Sequence, residues 1–76
     1  MPREKSGVDR IIPPKGYCYV EGEIKVRPES GLAILFSDGD KEVWLPISQI
    51  EDEQENEDGT VTLLIPEWLA EEKGLI

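Results

Sequence analysis

The stretch Lys41-Glu-Val-Trp-Leu-Pro-Ile-Ser-Gln-Ile50 decides the fold, because a strand pattern in it runs into a proline and then into a short polar turn. Val43, Leu45 and Ile47 alternate with Glu42, Trp44 and Pro46, so one face is apolar and the other carries a carboxylate and an indole. Pro46 has no N–H to give to a ladder, which predicts the end of regular pairing or an edge strand. Ser48 and Gln49 suit a single helical or 3₁₀ turn that returns Ile50 to the core.

On the N-terminal side of this stretch, Ser37-Asp-Gly-Asp40 is a hairpin signal, since Asp-Gly favours the positive backbone angles of a tight turn. It joins the Trp44 strand to residues 32–36, apolar on both faces and therefore expected to form a central strand. Residues 17–27 show the cleanest alternation in the chain. Cys18, Val20, Ile24 and Val26 share one face, while Tyr17, Tyr19, Glu21, Glu23, Lys25 and Arg27 share the other. Gly22 falls on the inward set, where a missing side chain predicts a bend or bulge. Residues 1–16 carry scattered charges, Ser6-Gly7 and Pro13-Pro14, and are expected to form a flexible arm whose apolar pair, Ile11 and Ile12, docks on the body.

On the C-terminal side, residues 51–58 form an acidic run, expected as a solvated loop with at most a short strand at its start. Asp58-Gly59 ends it. Val61, Leu63 and Ile65 then mark one face of a further strand. Pro66 opening a helix, Glu67 at its positive end and Gly74 at its C-cap predict a short terminal helix. Such a helix is too short to form alone, so Trp68, Leu69 and Leu75 are expected to pack it as core over an open end of the sheet, with Glu71 and Glu72 in water. The pattern as a whole predicts a mainly β domain over residues 17–76. Its expected form is a small antiparallel barrel of five strands, SH3-like or OB-like, closed by the helix.

At 76 residues the chain is expected to be a single domain near the lower limit for a core without staples. It has no histidine and one cysteine, Cys18, so there is no intramolecular disulfide and no imidazole to activate a serine or the thiol. An enzyme is not expected, and no cofactor is called for. The calcium-like spacing around Asn56 and Asp58-Gly59 fails, because Gln54 stands where the first acid belongs and Ile65 where the closing glutamate belongs. With no signal peptide or apolar span in evidence, a soluble cytoplasmic protein with no membrane association is expected.

The net charge of −9 is unevenly placed. Residues 1–16 hold four bases against two acids, whereas residues 51–76 hold Lys73 alone against nine acids. Such a body repels phosphate backbones at long range. Two candidate surfaces remain. Tyr17, Tyr19, Lys25 and Arg27 with Trp44 form an aromatic and basic face suited to peptide or single-stranded nucleic acid. The competing and favoured role for these aromatics is packing, with Trp44 under the helix and the tyrosines under the arm. The second surface is an acidic pole, Glu51, Asp52, Glu53, Glu55, Glu57 and Asp58, joined by Glu67, Glu71 and Glu72; it is either a solvated face or a docking site for a basic partner.

Val43-Trp-Leu-Pro-Ile-Ser-Gln-Ile50 and Ile65-Pro-Glu-Trp-Leu-Ala-Glu-Glu-Lys-Gly-Leu75 together resemble an uncharacterised family of small prokaryotic and phage-type proteins. That family shares a Trp-aliphatic-Pro-x-Ser-Gln-aliphatic turn and an Ile-Pro-x-Trp-Leu helix. The resemblance implies a shared fold and brings no activity. A weaker resemblance is to SH3-like barrels, in which a hairpin strand ends in a proline-containing 3₁₀ turn; no site residue carries over. The expected function is that of a non-enzymatic protein-binding module, a monomer or weak homo-oligomer with a protein partner. The alternatives are a single-stranded nucleic-acid-binding barrel and an acidic phage-type inhibitor that mimics nucleic acid.

Overall fold

The computed structural model describes residues 12–76. The element order is β1 (Tyr17–Val26), β2 (Ala33–Ser37), β3 (Glu42–Pro46), a 3₁₀ turn (Ile47–Gln49), β4 (Asp52–Glu55), β5 (Val61–Pro66) and α1 (Glu67–Glu72). The five strands form one antiparallel sheet in the order β3-β2-β1-β5-β4. Among the described residues its hydrogen bonding is open, with β3 and β4 as the two edges, where the sequence leads one to expect a closed barrel.

β1 is shared by two limbs. Tyr17 to Gly22 pair with β5, and Glu23 to Val26 pair with β2. The change of partner falls at Gly22, where a Cβ would sit 2.9 Å from the Phe36 ring and closer still to the Ser37 carbonyl oxygen. Only glycine lets the two strands approach this closely, and the expected bend is there. The core lies between the limbs. Ile34, Phe36 and Leu45 come from one, Val20, Val61, Leu63 and Ile65 from the other, and Leu69 and Ala70 of α1 close the cluster.

The hairpin Asp38-Gly39 forms as the sequence predicts, with Gly39 at φ 95°. The Asp38 carboxylate accepts from the Asp40 and Lys41 N–H groups at 2.8 and 2.9 Å, which holds its pKa below the usual carboxylate range. Pro46 ends β3 on an edge, and the 3₁₀ turn returns Ile47 and Ile50 to the core margin. The acidic run begins with the short strand that the sequence allows for and is exposed throughout it. Asp52–Glu55 is a fully exposed edge strand, and Asn56 N–H to the Thr60 carbonyl at 2.8 Å starts the turn back into β5.

Helix α1 ends in a Schellman arrangement: Gly74 is at φ 75°, its N–H bonds to the Glu71 carbonyl, and the Leu75 N–H bonds to Ala70. Lys41 Nζ reaches the Gly74 carbonyl at 2.9 Å, placing a cation at the negative end of the helix and tying it to the start of β3. The buried side of α1 is Leu69 and Ala70. Trp68, expected as core, is 55% exposed. The helix starts directly from the last residue of β5, and that start fixes its rotation: Pro66, Leu69, Ala70 and Lys73 share the inner stripe, and Trp68 stands about a third of a turn outside it.

The proposed docking of the arm's apolar pair does not hold for Ile12, which is 82% exposed; Ile11 and the rest of residues 1–11 lie outside the described residues. The chain just before β1 is tied down. Tyr17 N–H bonds to the Pro14 carbonyl at 3.0 Å, and the Gly16 carbonyl accepts from Glu67 N–H at 2.9 Å. Among the described residues no helix is long and apolar enough to cross a membrane.

Candidate functional site

Trp44 is 48% exposed on the outer face of β3, so the expected packing under α1 is not what the chain does. Directly paired residues in antiparallel strands point to the same side of a sheet. Trp44 pairs with Leu35, and Leu35 pairs with Val26, so the three form one row across β3, β2 and β1 on the side away from the core. Leu35 is half-buried in the middle of the row, and Val26 is 44% exposed at its far end. Ala33 and Pro46 form the next row on the same face, and Leu32 beside them is 76% exposed.

The alternation in residues 17–27 places Val26 on the inward set, and the structure reverses this. The register of β1 against β2 shifts between Ile24 and Val26, which makes Lys25 the extra residue of a β-bulge. One extra residue flips every later side chain to the other face. Val26 is thereby turned outward to complete the Trp44 row. No local sequence signal marks the bulge, because Lys25 is an ordinary solvent-side residue in either register.

The aromatic and basic face read from the sequence is divided between the limbs. Tyr17 and Tyr19, both half-buried, pair with Pro66 and Leu64 on the β5 side of the bend. Trp44 belongs to the other limb. The two bases are engaged: Lys25 Nζ lies 2.9 Å from Glu23 Oε1, and Arg27 Nη2 lies 2.7 Å from Glu53 Oε2, a link from the end of β1 across to the β4 edge. The hydrogen bond to Glu23, with the Glu23 and Glu42 charges, raises the Lys25 pKa. Among the described residues the carboxylates of Glu42, Asp40 and Glu29 make no hydrogen bond or ion pair, although the Glu42 charge is close enough to Lys25 to help raise its pKa.

The acidic run does not form a single pole with the helix. Glu51, Asp52, Glu53 and Glu55 lie along the β4 edge and Glu57 and Asp58 in its turn, all exposed. Glu67, Glu71 and Glu72 follow the other end of β5, about 20 Å from that turn at the usual strand rise. The turn is built by its own polar groups. The Thr60 hydroxyl, then the Thr60 N–H, donate to Asp58 Oδ1 at 2.7 and 3.0 Å and lower its pKa. Asn56 Nδ2 donates to the hydroxyls of Thr60 and Thr62 at 2.9 and 3.0 Å and approaches Glu21, fixing the turn against β1. These groups serve folding, and Asn56 and Asp58 are committed to it rather than aimed at an ion.

A groove of about 550 Å³ lies over Gly22 between the two turns, rimmed by Glu21, Glu23, Asp38, Glu42 and Asp58 with Lys25. Cys18 lies away from it, half-buried at the core margin. Burial pushes its thiol pKa up, and the Glu67 and Glu71 carboxylates push it further. A thiol so placed stays protonated at neutral pH and is a packing group. The chain matches no family model, no curated protein and no solved structure, so the family resemblance carried by the two motifs stays a proposal.

Proposed function

We propose that the protein is a non-enzymatic protein-binding module whose contact surface is the outer face of β1, β2 and β3, centred on Trp44. The observation that carries this reading is the row Val26, Leu35 and Trp44: a half-exposed indole backed by aliphatic side chains across three strands. Aromatic anchors surrounded by apolar contacts are what protein interfaces use, and a small domain gains nothing for its own stability by leaving such a row in water. The absence of histidine from the sequence and the protonated, half-buried thiol support a role without covalent or acid–base chemistry.

The nucleic-acid alternative needs bases beside the aromatics, and Lys25 and Arg27 are held by Glu23 and Glu53 instead. The SH3-like likeness is supported by the long strand bent at a glycine, the three-strand meander and the 3₁₀ turn after Pro46. The test is a peptide-display selection run in parallel on the wild type and Trp44→Ala. Sequences retained by the wild type alone are expected. Equal retention by both proteins, or tight binding of an oligonucleotide at low salt with no peptide selected, would overturn the proposal.

A further inference from the structure

Among the described residues no strand pairs with the edge of β3 beside Trp44, and the hydrogen-bonding pattern of that edge is set by the hairpin. Ile47 N–H bonds to the Leu32 carbonyl at one end, and Asp38 N–H bonds to the Lys41 carbonyl at the other. In an antiparallel pair the bonded positions alternate, so Val43 and Leu45 direct their backbone groups to β2, while Glu42, Trp44 and Pro46 direct theirs away from it. The outward N–H groups of Glu42 and Trp44 meet no acceptor among the described residues. Pro46 offers a carbonyl only.

We infer that this edge takes an additional strand from a basic, aliphatic peptide segment, which pairs antiparallel to β3 and lays its alternate side chains on the Trp44 face. This rests on the binding-module reading above and specifies its partner. Glu42, Trp44 and Pro46 share the outer face, so three alternate positions of the incoming strand meet them in turn. The position opposite Pro46 and the one opposite Trp44 extend the apolar row and are aliphatic. The position opposite Glu42 is Lys or Arg, because that carboxylate makes no hydrogen bond or ion pair among the described residues, while Lys25, whose charge it also feels, is bonded to Glu23, and Arg27 and Lys41 are bonded to Glu53 and the Gly74 carbonyl. Charge also decides against a second copy of this chain as the occupant: two bodies of net charge −9 repel, and a β3-to-β3 pair centred on Trp44 would set Glu42 against Pro46 and leave it unmatched. Main-chain bonds supply affinity in this mode and alternate side chains supply choice.

The probe is the peptide Lys-Val-Thr-Ile-Thr-Lys-Lys, acetylated and amidated, with Val, Ile and the first Lys after the second Thr set opposite Pro46, Trp44 and Glu42. Titration into the full chain is expected to show binding that weakens with salt and weakens on Glu42→Gln. N-methylation of the Ile nitrogen removes a bond to the Trp44 carbonyl and is expected to weaken binding by about fivefold or more, the usual worth of one net backbone hydrogen bond. N-methylation of the second Thr, whose nitrogen points away from β3, should change it by less than about twofold. Equal effects of the two methyl groups would overturn strand addition, and would leave the module reading intact where Trp44→Ala still abolishes binding. No binding of the unmodified peptide at about 1 mM, where even weak complexes form, would also overturn it. A concentration-dependent dimer of the protein alone, lost in Trp44→Ala, would overturn the choice of partner.

Discussion

The two edges of the sheet show how differently one small protein can treat the same hazard. Every open edge presents backbone groups that invite another strand. β4 answers with charge: Asp52, Glu53 and Glu55 lie along an edge strand with no buried residue, and Arg27 crosses to Glu53 at its inner side. β3 carries one carboxylate, one indole and a terminal proline, with aliphatic neighbours behind the indole. β4 is thus guarded against pairing in general, whereas β3, unpaired on its outer side among the described residues, is restricted only in register and chemistry.

The largest expected effect concerns the hinge that makes two limbs and hence two edges. Gly22→Ala forces a methyl into the Ser37 carbonyl and the Phe36 ring. It should cost about 5 kcal/mol or more, enough to abolish cooperative unfolding in a domain whose total is roughly 4 to 10 kcal/mol. A urea midpoint near that of the wild type would show that the limbs do not fold over this position.

Next comes the helix that covers the core between the limbs. Leu69→Ala should lower stability by about 2 to 5 kcal/mol, as buried leucines do, while Trp68→Ala should cost less than about 1 kcal/mol because its indole faces water. Equal losses would restore Trp68 to the core. The rotation of the helix is not encoded locally. Pro66, Glu67 and Gly74 mark the helix ends correctly, but rotation follows from the angle at which β5 delivers the chain, and a two-turn helix has too few residues for its periodicity to fix it. The same limit applies to Val26. Strand existence, the bend at Gly22 and the hairpins were legible in alternation and turn chemistry, since those are local. The bulge at Lys25 is set by pairing with β2, so the side-chain row that makes the candidate site was visible only as isolated residues.

The guarded edge can be tested by removing its guard. Glu55→Val together with Asp52→Val should turn β4 from an edge that repels strands into one that accepts them. Sedimentation should then show self-association that the wild type lacks at the same concentration. An unchanged monomer would mean that charge is not what protects β4. The turns at the ends of the two limbs give a smaller, pH-dependent effect. Asp38 and Asp58 have lowered pKa values in the folded protein, so the stability they contribute is present at neutral pH and is lost as pH falls below about 4 through those lowered values. Replacing both by Asn should lower the melting temperature at pH 7, and the gap from the wild type should narrow as the pH falls through those lowered values and the wild-type carboxylates also become neutral. A gap of constant size would assign the effect to shape rather than charge.

The most direct test of the account is amide hydrogen exchange across both edges, read residue by residue with and without the Lys-Val-Thr-Ile-Thr-Lys-Lys peptide. The exposed amides of Glu42 and Trp44 on β3 are expected to exchange fast in the free protein and slowly in the complex, with those of Glu53 and Glu55 on β4 unchanged. Slowing confined to β4, or to neither edge while the peptide binds, would contradict the assignment of β3 and its Trp44 face as the place where this protein meets its partner.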